Sequence, residues 1–235
     1  AKACAEHDIR RLVHMSANGA DVNSPSNYAR TKALGEEAVL AVFPGATIIR
    51  PSVVMGPEDN FFNKFAALSR ITPALPVIGT PFIPEIKFGS DKGIHGIEVN
   101  IYGAGGSKMQ PVYVGDVSRA IVQALKERKA AGKTYSLCGP TAYTFKEVME
   151  LMMGVTGRKK ILLPWCYTVA SMIAFFTEKL PNPILTRDQV NMLKVDNVMP
   201  EGVPGLEDLG IQPQAAEAIL PTYLYRFRGV NYAEA

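Results

Sequence analysis

Tyr28 and Lys32, in the run Asn27-Tyr28-Ala29-Arg30-Thr31-Lys32, are the residues whose types and spacing could do acid–base chemistry. At i and i+4 on a helix, both side chains lie on one face, one turn apart. A phenol has a pKa of roughly 10 and is a poor proton donor or acceptor at neutral pH. An ammonium one turn away favours the phenolate, and the two groups can hydrogen-bond the same sugar hydroxyls. Tyr-x-x-x-Lys occurs by chance on many solvated helices, so the pair means something only if its surroundings position it.

The surroundings read as a parallel α/β sheet. An apolar run, Leu12-Val13-His14-Met15-Ser16, precedes the pair, and Ala46-Thr47-Ile48-Ile49-Arg50-Pro51 follows it, giving the order strand, loop, helix, strand. Ser24-Pro25-Ser26-Asn27 can start the helix Tyr28 to Phe43, with Ala33, Leu34, Val39, Leu40 and Val42 as its apolar face and Pro44-Gly45 as its stop. Phe61 to Arg70 reads as a short helix. Asp116 is placed to cap a helix from Val117 to Arg128, Thr134 to Cys138 reads as a strand, and Thr144 with Glu147 as a capping box before a helix ending at Gly157. Thr72 to Met109 is rich in Pro and Gly, with weak strands at Ile83–Lys87 and Ile97–Tyr102, and reads in part as a hairpin-like surface insertion. The glycine cluster Gly103-Ala104-Gly105-Gly106-Ser107 precedes a strand, not a helix, so it reads as a turn and not as a phosphate cradle.

Arg11 to Pro57, with its Ser16-Ala17 strand end, its Tyr28/Lys32 helix and the Arg50-Pro51 strand end before Val54-Met55-Gly56-Pro57, resembles the middle of an extended short-chain dehydrogenase/reductase. Gln110-Pro111-Val112-Tyr113-Val114-Gly115-Asp116-Val117 is similar to that family's later strand-to-helix junction. Three further blocks, Pro57 to Asn63, Thr186 to Val190 and above all Pro204-Gly205-Leu206-Glu207-Asp208-Leu209-Gly210-Ile211, resemble the nucleotide-binding accessory subunits of respiratory complex I that share the dehydrogenase fold.

That resemblance implies a Rossmann-type doubly wound sheet whose first strands and phosphate loop lie outside this chain, plus a smaller, mostly helical lobe. It places 1–70 and a returning 110–130 in the sheet domain, and 71–109 with 131–235 in the lobe. It implies NADPH or NAD(H) as cofactor and no metal, with Tyr28 and Lys32 at the family's catalytic positions and Ser16, Tyr28, Lys32, Pro51, Ser52 and Val53 around the cofactor. If Ala17 takes the position where extended members often carry the reacting hydroxyl, the triad is incomplete, unless Ser16 or a nearby residue substitutes; the resemblance to complex I subunits implies that the pair holds a cofactor ribose rather than catalyses. The implied partners are complex I subunits at the junction of the peripheral and membrane arms, together with the missing amino-terminal part of the fold. The implied location is the matrix side of the mitochondrial inner membrane, or the cytoplasmic face of a bacterial plasma membrane. An active epimerase, dehydratase or reductase acting on a nucleotide sugar is the alternative, and a free cofactor sensor a third reading.

Composition is compatible with this. The chain has 235 residues, 47% of them hydrophobic, and a net charge of +3, with no basic run interleaved with aromatics to suggest nucleic acid. Cys4, Cys138 and Cys166 are odd in number and far apart. His7, His14 and His95 are isolated, which argues against a disulfide scaffold or a metal site.

Trp165 to Phe176 is nearly free of charge but shorter than the ~20 residues that cross a bilayer. Residues 164–180 read either as a core helix of the lobe or as an apolar helix docked on a partner subunit or a membrane surface.

Overall fold

The computed structural model describes residues 1–88, 97–181 and 183–229. The tip of the expected hairpin, His95 within it, and Asn182 lie outside the described residues. The chain separates into two compact units. The first is Ala1–Phe61, Met109–Ala142 and Asn197–Tyr223, and the second is Phe62–Lys108, Tyr143–Asp196 and Leu224–Ala235.

The first unit is built on three parallel strands, with Val13–Met15 beside Thr47–Pro51 and Thr47–Pro51 beside Thr134–Leu137. Register is set by Met15 opposite Ile49 and Pro51 opposite Leu137. Among the described residues Val13–Met15 has a strand on one side only. The core over this sheet gathers Ile49, Tyr135 and Leu137 with Val117 and Ala120 from the helix Val114–Lys126, and with Leu206, Leu209 and Ile211. The unusual Pro204–Ile211 block is thus a 3-10 turn, Glu207–Leu209, whose leucines are core anchors. It is tied to the sheet edge by Ser136 N–H donating to Pro204 O at 3.0 Å.

Several expectations need correction here. Val112–Tyr113 pairs with Val54–Met55 in a separate two-stranded ladder rather than with the three-stranded sheet. Thr134–Leu137, expected in the lobe, is a sheet strand, and 197–223 also belong to the first unit. The periodicity of 114–126 is helical throughout, so Asp116 lies inside the first turn instead of capping it. Its buried carboxylate accepts from Gln214 N at 2.8 Å and from Arg119 Nη2 at 2.5 Å. On the helix Asn27–Val42 the buried positions are Ala29, Ala33 and Glu36, spaced three and four apart on one face, while Leu34 lies on another face and is exposed.

The second unit carries the helices Phe62–Ile71, Phe145–Thr156, Tyr167–Thr177 and Arg187–Met192. It also holds a parallel strand pair, Ala74–Ile78 with Ile161–Trp165, and the antiparallel pair Glu85–Phe88 with Ile97–Asn100. Thr144 and Glu147 form the capping box expected of them, and Gly157 closes that helix at φ 64°. The glycine cluster is a turn, with Gly103, Gly105 and Gly106 all at positive φ. Trp165 ends a strand, so the apolar helix begins at Tyr167 and not at Trp165. It buries Ala170 and Ala174 and leaves Met172 and Phe176 exposed. No helix among the described residues is long and apolar enough to cross a membrane.

Candidate cofactor site at the carboxyl ends of the sheet

Ser16 and Ser52 leave adjacent strands at their carboxyl ends, where ligands of open α/β sheets bind. Ser16 N–H donates to Ile49 O at 2.7 Å, and Ser52 N–H to Leu137 O at 2.9 Å, so both backbones still belong to the ladder. The Ser16 hydroxyl is buried and has no hydrogen-bond partner among the described residues. A buried hydroxyl without a partner costs free energy. At a strand end in this fold, that makes Ser16 Oγ a group suited to a ligand. Ala17, next in sequence, is also buried and brings no hydroxyl.

The loop after Ser16 leads into the helix Asn27–Val42, whose first turn carries Tyr28. Ser26 caps it, its hydroxyl accepting from Ala29 N at 3.3 Å. Arg30 braces the entry by donating to Ser24 O at 2.6 Å and by a side-chain bond to Asn27. Lys32 Nζ lies 5.5 Å from the centre of the Tyr28 ring, so the pair shares one helix face as its spacing requires. Half-burial raises the Tyr28 phenol above its ordinary value of 10.0. The ammonium was expected to pull it down; desolvation of the phenolate is the stronger influence here.

Tyr28, Lys32 and Glu36 form a row along the helix, and Glu36 fixes that row to the sheet. Arg50 Nε donates to Glu36 Oε1 at 2.8 Å and Arg50 Nη2 to Oε2 at 2.5 Å. Beside it, Gly35 packs on His14, whose Nε2 is 3.8 Å from where a Cβ would stand.

Pro51, Ser52 and Val53 follow Arg50. Pro51 O accepts from Asn18 N at 2.9 Å and Val53 O from Val112 N at 2.9 Å. The Ser52 hydroxyl donates to Asn197 O at 3.1 Å. Cys138, after the third strand, is buried, and that burial pushes its thiol up to about 12 against the smaller downward pull of a hydrogen bond with Ser52.

A second set of residues at this end was not singled out from sequence. Asn18 Nδ2 donates to Asn197 Oδ1 at 2.9 Å and to Val198 O at 2.8 Å, and Ser136 Oγ donates to Asn18 Oδ1 at 3.4 Å. Gln110 holds the same segment, its backbone N–H donating to Asn197 O at 3.0 Å and its Oε1 accepting from Met199 N at 2.9 Å. Gln110 opens a block already singled out from sequence, but isolated Asn18 and Asn197 carry no pattern, so only the fold reveals this latch. A separate concavity of about 620 Å³, lined by Arg119, Val122 and Asp208 among others, includes neither Tyr28 nor Ser16.

A buried serine hydroxyl that finds no partner among the described residues, and a Tyr/Lys pair on the helix that follows, are groups of the kind that hydrogen-bond a ribose. Among the described residues no cluster of His, Cys, Asp and Glu is arranged to hold a metal ion.

With this geometry in view, the family can be stated. Residues 1–138 match the NAD dependent epimerase/dehydratase family, and the chain belongs to it. It is 37% identical over 218 residues to mouse (Mus musculus) NADH dehydrogenase [ubiquinone] 1 alpha subcomplex subunit 9, mitochondrial, covering 92% of this chain and 52% of that protein. The Arabidopsis thaliana protein of the same name is 33% identical, with 95% of this chain and 53% of that protein covered. The chain thus spans about half the length of these relatives.

Among solved structures, the NADPH-dependent quinone oxidoreductase QOR2 of Escherichia coli, complexed with NADPH, superposes with a TM-score of 0.63 at 16% identity. That match covers 95% of this chain and 68% of that one. The Thermus thermophilus UDP-glucose 4-epimerase complex with NAD gives 0.59 at 18% identity, covering 97% and 67%. These likenesses carry the fold alone.

Proposed function

We propose that this protein is an accessory subunit of respiratory complex I that holds NADPH, or alternatively NAD(H), as a structural ligand and does not turn over a substrate of its own. The observation that carries this reading is the similarity, over nine-tenths of the chain, to mitochondrial NADH dehydrogenase [ubiquinone] subunits. Two features of the site support it. Buried Ala17 stands where the resemblance to active short-chain enzymes asks for a reacting hydroxyl. Tyr28 is shifted away from neutrality, opposite to the tuning that a general acid–base working near pH 7 needs.

In this reading Lys32 holds the nicotinamide ribose, and Tyr28 and the Ser16 hydroxyl satisfy polar groups of the cofactor. A ligand that binds only the folded state stabilises it by about 2.7 kcal/mol when present at a hundred times its Kd, so occupancy alone is useful to the assembly. The partners are complex I subunits where the peripheral and membrane arms meet. The location is the matrix side of the mitochondrial inner membrane.

The Ser16 hydroxyl, without a partner among the described residues, favours an active epimerase or reductase, since it is free to bond a reacting oxygen. The test compares wild type with Lys32→Ala and Tyr28→Phe in the full-length protein. Nucleotide released on denaturation, assembly into complex I and any dehydrogenase or epimerase activity are measured. The structural role predicts that Lys32→Ala loses nucleotide while Tyr28→Phe keeps both nucleotide and assembly. A Tyr28→Phe protein that assembles and keeps its nucleotide but loses an activity of the isolated wild type would overturn it. Lys64 is a poor control, because its Nζ donates to Pro183 O at 2.9 Å; exposed Lys133 serves better.

A further inference from the structure

Three stretches that are distant in sequence, 60–84, 151–177 and 218–229, contain Lys and Arg but no Asp or Glu. The second unit brings parts of all three together. Arg158 Nε donates to Phe227 O at 2.8 Å, and Arg228 Nε returns a bond to Val155 O at 3.3 Å. Gly229 N donates to Thr156 O at 3.4 Å. Ile161 N donates to Pro73 O at 3.2 Å, which draws the end of the helix Phe62–Ile71, with Arg70 and Ile71, alongside. Arg70, Lys159 and Arg228 are exposed, and Arg158 and Lys160 half-buried. Among the described residues none of these five forms an ion pair with a carboxylate.

Exposed aliphatic side chains follow two of these cations directly in sequence, Ile71 after Arg70 and Ile161 after Lys160. Ile71 is 81% exposed, Ile161 66% and Leu163 42%. Ile161 and Leu163 alternate on the edge strand Ile161–Trp165, which places both on one face.

We propose that this cluster is a docking surface for a bilayer carrying anionic lipid. The argument is one of complementarity. Cations on stretches free of Asp and Glu, unpaired with carboxylates among the described residues, attract a negative leaflet, and single aliphatic tips beside them can enter the headgroup boundary. A protein partner is matched less well, because protein interfaces gather their apolar contact in a charge-depleted centre, whereas here the exposed Ile71 and Ile161 directly follow Arg70 and Lys160 in the chain. The proposal does not depend on nucleotide binding at Tyr28 and Lys32.

The test is sedimentation of the full-length protein with vesicles of phosphatidylcholine alone, or of phosphatidylcholine mixed with phosphatidylglycerol. Binding is expected only to the mixed vesicles and is weakened by salt. Lys159→Glu with Lys160→Glu should lower it roughly a hundredfold or more, since each cation near an anionic leaflet strengthens association about five-fold. Ile161→Ser should leave low-salt capture in place and weaken what persists at high salt.

Thermal unfolding checks that each variant folds. If the charge reversals do not fold, Lys159→Gln with Lys160→Gln is read instead. Equal binding to both vesicle types, or unchanged binding by the lysine variants, overturns the proposal. So does lysine-dependent binding to inorganic phosphate or to an acidic protein while anionic vesicles are left in solution.

Discussion

Glu36 and Arg50 are joined by two side-chain hydrogen bonds, of 2.8 and 2.5 Å, and this one pair fixes the helix bearing Tyr28 and Lys32 against the central strand. Glu36 is almost fully buried and Arg50 about one-third exposed, so the two ends of the pair are not equivalent. Arg50→Ala leaves a buried carboxylate without its partner, while Glu36→Ala leaves a guanidinium that water can reach. Removing Arg50 should therefore cost more, about 3 kcal/mol against about 2 kcal/mol for Glu36→Ala. Urea unfolding of both single variants and of the double variant checks this; an additive double variant would mean that the pair is not coupled.

The amide latch at Asn18 is a second test of how this end of the sheet is held. Asn18→Ala leaves Asn197 Oδ1 and Val198 O without the donor they now share. Losing these two partly buried bonds should destabilise the protein by about 1–3 kcal/mol. Hydrogen exchange at Met199, whose N–H bonds Gln110, should rise in the same variant. Unchanged exchange there would separate Asn18 from the latch.

Cys138 gives a prediction in pH. Its thiol titrates near 12 in the folded protein against an ordinary 9.0, because burial penalises the thiolate. Between those values the folded state retains a proton that the unfolded state has lost, so stability falls as pH rises above about 9. The slope from this group is at most about 1.4 kcal/mol per pH unit. Measured against Cys138→Ala, which lacks the group, wild type should lose ground with pH above 9 and run parallel to it below 8. Native Cys138 should also resist alkylation at neutral pH until denaturant is added.

Gly106 tests the turn in the second unit. Its φ is +84°, and an added Cβ would lie 2.3 Å from Ile78 O. Gly106→Ala should destabilise by about 2 kcal/mol or more, from strain and clash together. Gly154→Ala, in the helix Phe145–Thr156 with open space around it, should be neutral or mildly stabilising. Thermal unfolding of the two variants makes the comparison.

Sequence revealed the strand–helix–strand frame because Ser26, the Tyr28/Lys32 spacing and the strand ending at Pro51 are all local signals. The Thr144–Glu147 capping box and the glycine turn were legible for the same reason. What stayed hidden depends on contacts between distant residues. Leu34 reads as core but is exposed, and Glu36 on a different face of the same helix is buried, because Arg50 on another element makes a charge tolerable there. Thr134–Leu137 reads as a strand, but nothing in it says which sheet it joins. Asn18 and Asn197 have no periodicity at all, and only the fold pairs them. The upward shift of the Tyr28 phenol follows from burial, which spacing along a helix cannot report.

The chain enters the first unit three times, and the Asn18–Val198 bond closes over 180 positions of sequence. Contacts of such separation must wait for long loops to close before they return any stability, which slows folding and leaves intermediates exposed. It follows that no contiguous fragment of this chain contains the whole first unit without carrying most of the second unit with it. Cutting at 61 or at 109 divides the sheet rather than releasing a domain, so truncation series would give aggregation, while internal loop replacements would keep the fold testable.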